Sequence, residues 1–312
     1  MKTVTVVGSG IIGLTTAIAL QEKGFQVMIL AKECYEKTLS SKVGAIWFPF
    51  EIYPLEKANL WAAMSYQRYK KEARKKSGVT FIPFISAYTV KSNIDWIQQL
   101  PEGAVREATK EELPSGMRMG HVACVPLAEP PFYLPYLFQL FLDSGGTFRK
   151  QTITSIEVLS RLDDWVVNCT GLGAKILCND DAMYPIRGQI LRCAKLNTMS
   201  FADGTRKGNL CYVINRSEDA IIGGTDYKND WNINTDMADT DLILNRLNGF
   251  NVSAEVPKIK EIVVGLRPGR TAVRFEFDPV HANLFHNYGH GGAGYTVAWG
   301  CATELATIMS SK

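Results

Sequence analysis

Residues 3–30 restrict the fold more than any other stretch of the chain. "TVTVVG" (3–8) has the apolar density of a short buried strand, and "IIGLTTAIALQEK" (11–23) spaces its apolar residues as a helix does until Gly24 stops it. "QVMIL" (26–30) supplies a second buried strand. A β-α-β unit of this kind requires a parallel sheet and a right-handed crossover. Gly8, Gly10 and Gly13 form G-x-G-x-x-G in its first turn, within "VVGSGIIGL". The pattern carries weight only between a strand and a helix, and that is where it stands. Gly8 makes the tight turn, Gly10 lets the backbone approach a pyrophosphate, and Gly13 lets the helix pack closely on the strand. The helix N-terminus adds amide donors and a positive dipole. A dinucleotide site is expected, with a mononucleotide site or a merely structural turn as the alternatives. Which residue grips the ribose stays open: the second strand ends at Ala31, followed by Lys32 and Glu33, and Glu33 reads equally as a ribose acceptor or a solvated carboxylate.

The rest of the composition narrows the class. A chain of 312 residues with 46% hydrophobic residues is long for one domain and reads as two. A net charge of +3 is too mild to indicate nucleic-acid binding. The densest basic run, "KKEARKK" (70–76), is interrupted by Glu72 and reads as a solvated helix face. Seven scattered cysteines without a C-x-x-C pair argue against a disulfide framework or a structural zinc site. No run of about 18 apolar residues suggests a membrane span. The N-terminus is unlike a signal peptide. A cytoplasmic protein is expected.

Further along, "PLEKANLWAAMSYQRYKKEARKK" (54–76) reads as a long amphipathic helix, and "VTFIPFISAYTV" (79–90) as an alternating strand with a proline bend. "FYLPYLFQLFLDSGGTF" (132–148) is a helix ended by Ser144-Gly145-Gly146 and followed by a strand, and "WVVNCTGLGA" (165–174) a strand entering a glycine turn. "IRGQILRCA" (186–194), "LCYVINR" (210–216) and "AIIGGTDY" (220–227) have the punctuation of antiparallel strands, and "TVAWGCATELATIM" (296–309) closes the chain as a helix. Helix-covered parallel strands thus stand at the start, middle and end, with antiparallel strands filling the gaps.

Two stretches invite chemistry. In "TLSSKVGAIWFPF" (38–50), hydroxyl residues precede Gly44-Ala45, where a flat ring finds room, and then a run of aromatics; a plain strand crossing between domains is the alternative. "HNYGHGGAGYTVAWG" (286–300) combines dense glycine with His286 and His290. Zinc is not expected, because Gly289 and Gly291-Gly292 argue against a helix presenting both histidines and no third ligand is near.

Taken in order, "VVGSGIIGL", "VVNCTGLGA", "PIRGQI", "VGLRPGR" and "HNYGHGGAG" resemble the motifs of the D-amino-acid oxidase family, from residue 3 to about 309. The resemblance implies an α/β fold: a Rossmann-like FAD-binding domain with a parallel sheet, interwoven with an α+β substrate domain whose sheet is mostly antiparallel. The first would comprise residues 1–50, 132–184 and 258–312, the second 51–131 and 185–257. It implies FAD as cofactor, a D-amino acid and dioxygen as small-molecule partners, and imino acid and hydrogen peroxide as products. A homodimer is left open.

By the same resemblance, Arg267 holds the substrate carboxylate, the Tyr212 hydroxyl contacts it, and the Gly292 carbonyl receives the amino group. A guanidinium suits that task because its fixed fork pairs two carboxylate oxygens at once. FAD would lie along Gly8, Gly10, Ile11, Ile12 and Gly13, along Lys32, Ser40, Ser41, Gly44 and Ala45, and along Ile153 and Gly171. Gly291, Gly292, Gly294, Tyr295 and Thr296 would form the flavin floor, with the last helix pointing its amides at the pyrimidine end. Phe48, Phe50 and Trp47 are candidate walls of the substrate pocket. Two departures from the family stand out: Gly208 replaces a second tyrosine, which implies a shorter lid, and Asp226 replaces the arginine of aspartate-specific members. Asp226 would repel D-aspartate and could recruit a basic side chain. Arg270 and Arg274 read as structural ion-pair partners. The rival readings are a flavin dehydrogenase of the same fold, a glycine- or sarcosine-type oxidase, and a non-catalytic dinucleotide-binding protein.

Overall fold

The structure, a computed structural model, describes residues 2–49, 51–90, 95–203, 205, 210–251 and 256–312. Along the chain come β1 (Thr3–Val7), α1 (Ile11–Glu22), β2 (Gln26–Ala31), α2 (Leu55–Glu72), β3 (Val79–Tyr88), β4 (Val105–Glu107) and β5 (Met119–Ala128). Next are α3 (Pro130–Asp143), β6 (Thr147–Lys150), α4 (Ile156–Ser160), β7 (Trp165–Asn168), α5 (Ala174–Leu177), β8 (Tyr184–Cys193), β9 (Ser200–Asp203) and β10 (Cys211–Asn215). The remainder is β11 (Ala220–Gly223), β12 (Tyr227–Lys228), α6 (Met237–Gly249), β13 (Ile259–Gly269), β14 (Arg274–Phe277), β15 (Leu284–Tyr288) and α7 (Gly294–Ser310).

Two compact units result. The first is Met1–Val79, Ala128–Pro185 and Arg267–Lys312; the second is Thr80–Leu127 and Ile186–Leu266. The change of texture near residue 50 suggests a boundary there, yet α2 belongs to the first unit.

In the first unit a six-stranded sheet runs β14-β15-β7-β1-β2-β6. β1 lies parallel between β2 and β7, and only β14 is antiparallel to its neighbour. The sheet's apolar side chains Val7, Leu30, Val166 and Leu284 close one core with Leu159 and Leu177, each fully buried side chain contributing about 1.5–3 kcal/mol. α1 buries Leu14, Ala17, Ile18 and Leu20 on more than one face, because α3 and α7 cover what the sheet does not. It stops as its sequence dictates: Gly24 takes φ +86°, its amide reaches the Gln21 carbonyl, and the Phe25 amide reaches that of Leu20. The exposed lysines of the 70–76 run do face water, but Glu72 turns inward to Arg68 and Tyr133.

The second sheet is ordered β12-β8-β11-β10-β9-β3-β5-β4, with β13 also paired to β8. β8, β9, β10 and β11 are mutually antiparallel where they pair, while β3 joins β9 in parallel. Alternation puts Leu191, Phe201, Val213 and Ile222 on one face, where α6 covers them with Ile243 and Leu247. α6 begins at Asp236, whose side chain caps the Ala238 amide at 2.8 Å. Among the described residues no helix is long and apolar enough to cross a membrane.

α2 crosses α7 at close backbone range. A Cβ on Gly300 would stand 2.3 Å from the Cα of Trp61 and as close to its carbonyl oxygen. Backbone cannot give way as a side-chain tip can, so Gly300→Ala should destabilise the protein by about 3 kcal/mol, the upper end of the overpacking range. Thermal unfolding checks this, and an unchanged melting temperature would show that the crossing relaxes freely.

Candidate active site

The turn between β1 and α1 is built by close backbone approach. Gly8 has φ +118°, and a Cβ there would lie 2.4 Å from the Cys169 carbonyl oxygen. A Cβ on Gly13 would lie 1.9 Å from the carbonyl oxygen of Gly8. α1 then starts at Gly10, which has no side chain to cap it, and carries no acidic residue in its first turn, so its terminal dipole is not neutralised from within. The Ile11 amide donates to Ser40 Oγ at 3.0 Å. Ser41 spends its hydroxyl on its own turn, within reach of the Glu36 and Thr38 carbonyls at 2.7 and 2.9 Å.

Beyond β2, Lys32 is exposed, and Glu33 pairs with Lys150 at 2.8 Å. That hydrogen bond draws the Glu33 carboxyl below its ordinary range. Ile153 is half-buried against the core beneath the ends of β1 and β2. Gly44 is buried, and Ala45 adopts φ +57°, a left-handed backbone uncommon for a residue with a Cβ.

α7 repeats the arrangement of α1. It starts at Ala293 with no side-chain cap and no acidic first turn, beside α1: a Cβ on Gly294 would sit 3.6 Å from Ile11 Cγ2. Thr296 Oγ1 both accepts from the Phe48 amide at 3.1 Å and donates to the Phe48 carbonyl at 2.9 Å. The Tyr295 hydroxyl donates to the Ser40 carbonyl at 2.9 Å. The 38–48 segment is thereby tied to both helix starts. Glycine cradles without room for side chains, and two adjacent uncapped N-termini, fit a dinucleotide with an anionic centre. Trp47 is not free to wall a pocket: it is 1% exposed, with Nε1 bonded to the Ala62 carbonyl. Phe48 is half-buried. Phe50 and Gly208 lie outside the described residues.

Arg267, at the end of β13, stands against the glycine loop. A Cβ on Gly292 would lie 3.6 Å from Arg267 Cδ, and the Gly291 amide donates to the Pro268 carbonyl at 2.9 Å. Gly171, at φ +56°, borders Pro268 from the other side. The two histidines face separate tasks. His286 joins Asp278 at 2.9 Å and Asn168 at 3.2 Å. His290 is fully enclosed, its Nε2 3.6 Å from Cys301 Sγ, and burial pulls its pKa down to about 3. Among the described residues no group of three histidine, cysteine or acidic side chains could hold a metal ion.

In the second unit Tyr212 pairs across strands with Gly223, and its ring occupies the space of the missing side chain: a Cβ on Gly223 would lie 2.1 Å from its Cζ. Arg246 of α6 donates to the carbonyls of Leu210 and Gly224 at 3.2 and 3.1 Å, bracing the backbone beside it. Asp226 is half-buried, next to Thr225, whose Oγ1 accepts from the Gln189 amide at 2.8 Å. Arg246 went unnoticed in the sequence because one arginine on an amphipathic helix carries no distinguishing pattern. The "RGQ" of residues 187–189 is a latch: Arg187 binds Asp239 at 2.6 Å and the carbonyls of Asn232 and Asn234, and Gln189 binds Asp236 and Thr240.

The family model for FAD dependent oxidoreductases matches residues 3–308. A D-amino-acid oxidase of Rubrobacter xylanophilus is 37% identical over 311 residues, covering 98% of this chain and 95% of that protein. One from Dictyostelium discoideum is 35% identical, covering 97% and 90%. Among solved structures, the glycine oxidase of Geobacillus kaustophilus superposes with a TM-score of 0.78 over 100% of this chain and 95% of its own, at 15% identity, a likeness of fold.

The neutral state of His290 gives this loop a pH signature. Its folded pKa lies below the ordinary 6.5, so the unfolded chain takes up the proton first. Stability is intact above pH 6.5 and is lost as pH falls from there toward 3, at up to about 1.4 kcal/mol per pH unit. The melting temperature of the wild type should fall more steeply between pH 6.5 and 4.5 than that of His290→Gln. Parallel curves would mean that His290 does not titrate on unfolding.

Proposed function

Because the chain belongs to the D-amino-acid oxidase family of FAD-dependent oxidoreductases, we propose that it oxidises D-amino acids with neutral or basic side chains to imino acids. Water then converts these to 2-oxo acids, and dioxygen is reduced to hydrogen peroxide. The observation that carries this reading is the apposition of Arg267 and Gly292, a Cβ on Gly292 lying 3.6 Å from Arg267 Cδ, just ahead of the start of α7.

Arg267 pairs with the substrate carboxylate through two parallel hydrogen bonds. The Gly292 carbonyl accepts a hydrogen bond from the amino group and so holds it with its lone pair in line with the Cα–H bond. The Tyr212 hydroxyl is assigned to the carboxylate on the family resemblance alone. FAD, which the Gly8–Gly13 turn and the start of α7 would hold, would supply the acceptor for the hydride that leaves Cα and the route of the electron pair to dioxygen. The start of α7 supports this electrostatically, because its amides favour negative charge at the ring they face. His290 is no general base: a group with a pKa of about 3 holds no useful affinity for a proton at neutral pH. Positioning therefore does most of the catalysis. With carboxylate and amine both held, only one enantiomer aims its Cα hydrogen at the flavin, and that is the source of the preference for the D form.

The purified protein should be yellow. Without oxygen, D-alanine should bleach the flavin absorbance and L-alanine should not, and air should restore it with release of peroxide. Failure of both enantiomers to bleach it would sink the reading. Arg267→Met should lower kcat/KM for D-alanine by at least about a hundredfold, the worth of a pair of charged hydrogen bonds. Asp226 decides side-chain choice in this account: Asp226→Asn should lower the ratio of D-lysine to D-alanine turnover by about tenfold, an exposed-to-buried ion pair's worth. An unchanged ratio refutes a role for Asp226.

A further inference from the structure

The Gly291 amide donates to the Pro268 carbonyl at 2.9 Å and so joins the Arg267 and Gly292 segments directly. A second attachment comes from a loop that belongs to neither. Asp180, just after α5, receives Arg270 Nε at 3.1 Å and the Tyr288 hydroxyl at 2.8 Å, both on the same oxygen, Oδ2. Its other oxygen accepts the Ala182 amide at 3.0 Å, which sets the carboxylate's own orientation.

Arg270 is three residues beyond Arg267, and Tyr288 is four before Gly292. Both are held from further points. Arg270 donates to the Ala272 carbonyl at 2.8 Å, and the Tyr288 hydroxyl accepts from Arg274 at 2.9 Å. Arg270 also passes directly over Gly289, where a Cβ would stand 2.9 Å from its own. Asp180 is 7% exposed in its side chain. Burial raises its carboxyl, but the Tyr288 hydroxyl and the Arg270 guanidinium outweigh this and leave it below its ordinary value.

We propose that Asp180 is a positioning residue: by tying Arg270 and Tyr288 to one oxygen it fixes the spacing between the Arg267 side chain and the Gly292 carbonyl. This rests on the reading of Arg267 as carboxylate clamp and Gly292 as amine acceptor. An amino acid must engage both groups at once, whereas a carboxylate without an amino group needs only the first. Small errors of spacing therefore damage turnover far more than carboxylate binding.

The test compares holoproteins per bound flavin, using benzoate titrated through the flavin absorbance and D-alanine turnover. In Asp180→Asn the Kd for benzoate should stay within about threefold of wild type, while kcat/KM for D-alanine falls about tenfold to a hundredfold, chiefly in kcat. Tyr288→Phe, which keeps the ring and removes one of the two ties, should show the same split more weakly. It decides the matter if Asp180→Asn does not fold. A lowered melting temperature with unaltered kcat/KM would make Asp180 merely structural and overturn the proposal. So would equal losses for benzoate and D-alanine, which would place its effect on Arg267 alone. Arg267→Met is the control: if it binds benzoate as the wild type does, the underlying reading fails whatever the Asp180 variants show.

Discussion

A methyl group on Gly13 would stand 1.9 Å from the carbonyl oxygen of Gly8, and one on Gly8 would stand 2.4 Å from that of Cys169. No side chain fits between these backbones, so α1 is drawn down onto the ends of β1 and β7. α7 then lies along α1 near enough for Thr15 Oγ1 to reach the Ala298 carbonyl at 3.4 Å. Two helix starts come side by side as a consequence, and neither is capped by the side chain of its own N-terminal residue, Ser40 Oγ taking the Ile11 amide alone. Their dipoles reinforce one another at the place where an anionic cofactor must sit. The first unit is arranged to preserve that approach, with Gly300 performing the same service where α7 crosses α2.

Charged groups in both units serve as fasteners for irregular backbone. Removing a carboxylate from water is costly unless its lone pairs are filled, and the buried acids here fill them with side-chain donors. Asp180 gathers Arg270 and Tyr288, Asp278 gathers His286 and Arg274, and Glu72 gathers Arg68 and Tyr133. In the second unit Arg187 gathers Asp239 with the Asn232 and Asn234 carbonyls. Asp180, Glu72 and Arg187 thereby join segments that are remote in sequence, which local propensity alone would leave unspecified, while Asp278 fastens partners four and eight residues away.

The regular elements were legible where periodicity was strong. β1, α1 and β2 lie within a residue or two of where spacing puts them, and α7 needs only an earlier start, at Gly294. α6 and the β13–β15 run drew no expectation. β13 is half-buried along most of its length without clean alternation, and the buried positions of α6 include the polar Asp239 and Thr240, which blur an apolar stripe. The 38–50 stretch offered hydroxyls without saying which would be engaged. Thr38 and Ser41 serve their own turns, and Ser40 alone reaches the start of α1.

Spacing of glycine and apolar residues, by itself, determined the β-α-β start and the site for a dinucleotide, while the family was legible only in the resemblance of the ordered motifs to known ones. These are local properties: a strand, a turn without a Cβ and a helix need only neighbours in the chain. Which acids would be buried, that His290 would be held neutral, that Arg270 would share Asp180 with Tyr288, and that Trp47 would belong to the core were decided only in the tertiary structure. The physical reason is that desolvation and ion pairing depend on what lies within a few ångströms in space. For Asp180 and Tyr288, those few ångströms span 108 positions of sequence.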